Sequence, residues 1–137
     1  MDSKLLRIGR YWLPLLLYAS TIFVLSSMSH PPIPAVNIPH FDKVLHTCEY
    51  AAFGALLFRG LRMGGAGLSM RVALLAAVLC GALYGASDEV HQMFVPHRSA
   101  EVSDFLADTF GSLLGASGFV WLVLRGREAQ RGAASGG

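Results

Sequence analysis

Charge is scarce in this sequence: Asp, Glu, Lys and Arg together make up 15% of 137 residues, while 53% are hydrophobic. A soluble domain carries about a quarter of its residues as charges, so lipid is the simplest solvent for this composition. Cysteine is nearly absent. Cys48 and Cys80 each lie in an apolar stretch, at different depths of the membrane layout below. That placement excludes a disulfide framework and a thiolate metal site and reads both as small packing residues. There is no G-x-S-x-G nucleophile elbow, no standard zinc signature and no nucleotide or coenzyme motif. Nor does any basic patch interleave with aromatics, and a net charge of +2 gives no electrostatic footprint, so nucleic acid is excluded as a partner.

What is present is hydrocarbon in long runs. A spanning helix needs about 20 mostly apolar residues, and four segments meet that length: 11–28, 42–61, 72–92 and 102–124. The first follows a basic start and carries Pro14, which a membrane helix tolerates. The Pro-rich run after Met28 cannot be helical, because proline removes a donor and pushes its predecessor into extended backbone. It predicts a loop on the outer side. A Gly-rich turn joins the second and third segments, and MFVPHRSAE joins the third and fourth. The composition of residues 125–137 (Gly, Ala, Ser and charge) predicts a disordered cytoplasmic tail after a single domain over 1–124.

Cytoplasmic loops are enriched in Lys and Arg. Four spans with both termini in the cytoplasm put Lys4, Arg7, Arg10, Arg59, Arg62, Arg71, Arg125, Arg127 and Arg131 inside, and only Lys43 and Arg98 outside. The fold class expected is therefore an all-α membrane protein, a multi-pass bundle of about four transmembrane helices with both termini cytoplasmic. A cleaved signal peptide in place of the first span is the competing reading, but its apolar core is long for that role and its processing site poor.

The few acids are not scattered. All but Asp2 and Glu128 fall at the outer ends of helices or in outer loops, and so do all five histidines. At 100° per residue, Asp42, His46, Glu49 and Phe53 share one helix face with Tyr50 beside them; Gly81, Tyr84, Asp88 and Gln92 share another with His91 adjacent; Asp104, Asp108, Gly111 and Gly115 share a third. Ionisable groups in hydrocarbon face a bundle interior or an aqueous cavity, so the three faces are expected to converge. Gly111 and Gly115, four residues apart, are the expected helix-packing contact below the acids. The expected pocket comprises Asp42, His46, Glu49, Tyr50, Asp88, Glu89, His91, Gln92, Arg98, Asp104 and Asp108. Asp42 and Asp104 also sit where a carboxylate caps free helix amides. Lys43 reads as snorkelling to headgroups. His30, His40 and His97 read as incidental loop residues.

The motifs Asp42-Lys43-x-x-His46-x-x-x-Tyr50, Ser87-Asp88-Glu89-Val90-His91-Gln92, Phe94-Val95-Pro96-x-Arg98-Ser99 and Asp104-x-x-x-Asp108-Thr109-x-Gly111-x-x-x-Gly115 together resemble the VanZ-like family of small bacterial membrane proteins. His97 departs from the pattern, which usually has glycine there. The resemblance implies a bacterial cytoplasmic (inner) membrane; the family is named for a protein associated with resistance to the glycopeptide teicoplanin, and its name carries no settled reaction.

Three functions follow as expectations. The first is a factor at the cell envelope whose outward pocket, among lipid, meets a glycopeptide or a lipid-linked envelope precursor. The second is a membrane enzyme on such a substrate, working by acid-base chemistry or through a divalent metal held among His46, Asp88, His91, Asp104 and Asp108, with Arg98 pairing a phosphate or carboxylate. The third is a structural bundle whose ionic network only locks the helices together.

Overall fold

The computed structural model describes residues 3–32 and 38–135; Asp2 and the middle of the Pro-rich loop lie outside them. Four helices make up the regular structure of the described residues: α1 (Ser3–Ser26), α2 (Phe41–Met63), α3 (Met70–Gln92) and α4 (Val102–Ser135). They run up and down, so that α1 and α3 end where α2 and α4 begin. Three of them, over Leu5–Ser26, Met70–Gln92 and Val102–Ala134, are long and apolar enough to cross a membrane. α2 has the length but carries Asp42, Lys43, Glu49, Arg59 and Arg62. It is sheltered by its neighbours, with Tyr50, Phe53, Gly54, Leu57, Phe58 and Gly60 buried, so it does not need an apolar outer face.

α2 and α4 lie side by side and almost touch, because the facing positions have no side chain to hold them apart. A Cβ on Gly111 or Gly115 would run into the backbone of Thr47 or Ala51, and one on Gly54 into the backbone of Ser112. α3 closes the other side of this pair, where Gly81 makes room for the Ser112 side chain and Gly85 for that of Asp108. α1 packs on α2 and α3 without reaching α4. It is fastened at its start by the Trp12 indole, which donates to the Gly64 carbonyl at 3.1 Å, and further along by Tyr84, which donates to the Ala19 carbonyl at 2.7 Å. The remaining faces are apolar and exposed: Leu75, Leu79 and Leu83 form a stripe on α3, and Leu106, Phe110, Leu113, Leu114 and Trp121 cover α4. Apolar area of this extent, left unpaired by the protein, fits contact with lipid.

Two expectations from the sequence are corrected. Residues 125–135 continue α4 as helix rather than forming a disordered tail. Arg127, Ala129, Gln130 and Arg131 are good helix formers, and the Arg125 guanidinium lies 4.3 Å from the Trp121 ring one turn back. Cys48 and Cys80 are free and exposed on the helix surfaces, not packed between helices.

Candidate functional site

Where α1 and α3 end and α2 and α4 begin, the bundle opens into a cavity of about 700 Å³. The wall on α1 is Tyr18, Ile22, Leu25 and Ser26, extended by Pro31 and Pro32; the opposite wall is polar and built from Asp42, His46, Glu49, Asp88, Gln92, Arg98, Glu101 and Asp104. Apolar groups thus face carboxylates across one space. Among the described residues lining it, Arg98 alone carries a fixed positive charge.

The polar groups are fixed by one another. Lys43 ties α2 to the loop between α3 and α4 and to α4 itself: its ammonium lies 2.7 Å from Asp42, 2.7 Å from Glu101 and 2.5 Å from Asp104. Asp42 and Asp104 both turn a carboxylate to Lys43, which is therefore a bridge, not a snorkelling side chain. Its ammonium, with a hydrogen bond from Ser103, holds the exposed Glu101 carboxyl below its ordinary value. Arg98 donates from Nη2 to the Leu25 carbonyl and from Nε to the Met28 carbonyl, both at 3.2 Å. It closes the C-terminal end of α1, a role suited to a cation beside the last carbonyls of a helix, and its side chain also lines the cavity. Gln92 donates to Asp88 at 3.0 Å one turn along α3, and both are buried.

Behind this lining sits a second set of polar groups. His46 Nδ1 is 2.9 Å from Asp108 Oδ1, and the Asp108 side chain is wholly buried, seated against Gly85 where any side chain would crowd it. Glu89 crosses from α3 and accepts the Glu101 backbone N–H at 2.7 Å. Tyr50 lies deeper still, its ring edge-on to Phe53 and its hydroxyl without a partner.

Of the residues picked from the sequence, Asp42, His46, Glu49, Asp88, Gln92, Arg98 and Asp104 line the cavity. Glu89 and Asp108 stand behind His46, and Tyr50 packs below. His91 does not join them: its Nε2 is 3.0 Å from the Ser27 hydroxyl and its ring 4.7 Å from that of Phe23, which fastens α3 to α1. Among the described residues, the groups able to offer a metal three ligand atoms within 4.8 Å of one another are His46, Glu89 and Asp108, and Asp42, Glu101 and Asp104; Asp88 and His91 fall in neither. The α1 wall was missed. Its signal was the spacing Tyr18, Ile22, Leu25, Ser26, a helical stripe of mixed polarity that apolarity alone obscured. His97, read as incidental, borders the cavity with its ring stacked on His30 at 5.5 Å, and its φ of 63° is a backbone state that glycine takes freely.

Compared with known proteins, residues 7–124 match the model of one family, VanZ/LLP1. No curated protein and no solved structure matches the chain.

Proposed function

The chain belongs to the VanZ/LLP1 family, and from that premise we propose that it is an inner-membrane protein whose cavity opens on the envelope face to receive an amphipathic envelope molecule. In this reading the single domain over 1–124 crosses the bilayer four times with both termini in the cytoplasm. The unequal distribution of Lys and Arg between the two ends supports the orientation, and the lipid-facing surfaces of α1, α3 and α4 support the embedding. α2 crosses within their shelter.

The observation that carries the proposal is the two-sided cavity. The α1 wall and Pro31 and Pro32 suit an acyl or prenyl chain entering from lipid, while the carboxylates opposite accept hydrogen bonds from hydroxyl, amide or amine groups. Arg98 supplies a donor for a phosphate or carboxylate. A lipid-linked envelope precursor and a lipid-bearing glycopeptide of the teicoplanin type share this division between a chain and a hydrogen-bonding head. Asp42, His46, Glu49, Asp88, Gln92, Arg98 and Asp104 are the contacting groups; Tyr50, Glu89 and Asp108 support them from behind.

Deletion of the gene is expected to change teicoplanin susceptibility. Wild type should restore the parental value, and Asp88→Asn, expressed to the same level, should not. Unchanged susceptibility on deletion, or full rescue by Asp88→Asn and Glu49→Gln alike, would sink the reading. A membrane enzyme is the second reading, favoured by the hydrogen-bonded His46 and Asp108 at the cavity floor, a pair suited to moving a proton. Turnover of polyprenyl phosphates by the purified chain, abolished in His46→Gln, is its test.

A further inference from the structure

Two acid clusters lie at this end of the bundle, and only one of them surrounds a lysine. Asp42, Glu101 and Asp104 surround the Lys43 ammonium. His46, Glu89 and Asp108, contributed by α2, α3 and α4, each offer a ligand atom within 4.8 Å of the others and surround no lysine or arginine of the described residues. We propose that His46, Glu89 and Asp108 form a binding site for a divalent cation of the zinc or manganese class.

The unpartnered oxygens carry the argument. Asp108 is fully buried, and its Oδ2 has no hydrogen-bond partner although Oδ1 is engaged by His46. Glu89 is 7% exposed, and its Oε1 has none although Oε2 accepts the Glu101 amide. Each carboxylate therefore has one oxygen oriented by the protein and the other left over, the arrangement in which ligating carboxylates are steered by a neighbouring hydrogen bond. Leaving such an oxygen buried and unpaired is costly, and more so when it is charged. A small cation bonded to both removes that cost. Metal–ligand distances of roughly 2.0–2.2 Å require donors some 3–4 Å apart, so side-chain movements below about 1 Å close the site. One imidazole with two carboxylates is a mixed nitrogen and oxygen set, suited to Zn²⁺ or Mn²⁺ and poorly suited to Ca²⁺, which takes oxygen alone. Gly85 keeps the space in which Asp108 sits, so the site depends on a small residue that binds nothing itself.

This inference stands whatever molecule enters the cavity above. The full chain, purified in detergent and stripped with a chelator, is to be equilibrated with Zn²⁺, Mn²⁺ or Mg²⁺, and bound metal measured by elemental analysis. Co²⁺ absorption reports the ligand set of the wild type directly. One Zn²⁺ or Mn²⁺ per chain is expected, with visible Co²⁺ bands and at least tenfold weaker binding in Glu89→Gln and in Asp108→Asn. Glu101→Gln, which alters the lysine-filled cluster, should keep the metal. The proposal is overturned if folded wild type retains no ion and shows no Co²⁺ bands, if Glu89→Gln binds as wild type does, or if Glu101→Gln loses the metal equally.

Discussion

Replacing Gly115 by alanine adds one methyl group at the tightest point of the bundle, and the structure fixes both the direction and the size of the effect. The new Cβ would lie inside the contact distance of the Ala51 carbonyl. Backbone cannot rotate away as a side chain can, so α2 and α4 must separate. A gap of about 1 Å forfeits roughly a quarter to a half of the dispersion attraction of each atom pair across it. Overpacking of this kind costs about 1–3 kcal/mol, and the unyielding backbone places Gly115→Ala near the upper limit, about 3 kcal/mol. Gly118, three residues further along the same helix, has open space around its Cβ position. Alanine there gains helix propensity alone, about 0.5–1 kcal/mol in the stabilising direction. The two substitutions are chemically identical and lie one turn apart, yet they should shift thermal unfolding in detergent in opposite directions. Size-exclusion recovery after heating, or the fluorescence of the two tryptophans, reads the midpoint. Equal shifts, or a stabilised Gly115→Ala, would refute the close backbone approach of α2 and α4.

Lys43→Met leaves Asp42, Glu101 and Asp104 facing one another without their cation, and with Asp104 buried it should lower stability by about 1–3 kcal/mol. A thermal midpoint equal to that of wild type would contradict the bridging role. His97→Gly relieves the left-handed backbone at φ 63°, a state that costs a residue with a side chain about 1–3 kcal/mol, and should raise the thermal midpoint; an unchanged or lowered midpoint would show that the stacking on His30 outweighs the strain. The Glu101 carboxyl is held below its ordinary value by Lys43, so its contribution to stability is present above the ordinary carboxylate range and disappears as pH falls through the lowered value. Glu101→Gln should thus be less stable than wild type at neutral pH and converge with it in acid; a difference that persists in acid would assign the effect to packing instead.

The extent of the site readable from the sequence follows from helical geometry. Asp42, His46 and Glu49 recur at helical spacing, as do Asp88 and Gln92, so each set was bound to occupy one face once the segment was helical. Gly111 and Gly115 announced a close contact in the same way. What could not be read was which group each face would meet. His91 stands three residues from Asp88, yet it turns to Ser27 because α1 ends beside it. Glu89 lies off the cavity face and meets His46 and Asp108 only because α3 lies across α2 and α4.

By itself the sequence determined the four helices and the gathering of acids at one end, because period and hydropathy are local properties of a chain in lipid. It also determined the family pattern. The tertiary structure alone decided that Lys43 would fill one acid cluster and leave the other to His46, that Arg98 would close α1, and that α1 would supply the apolar wall of the cavity. Those outcomes depend on how closely helices remote in sequence approach. That distance is set here by glycines whose partners lie on other helices.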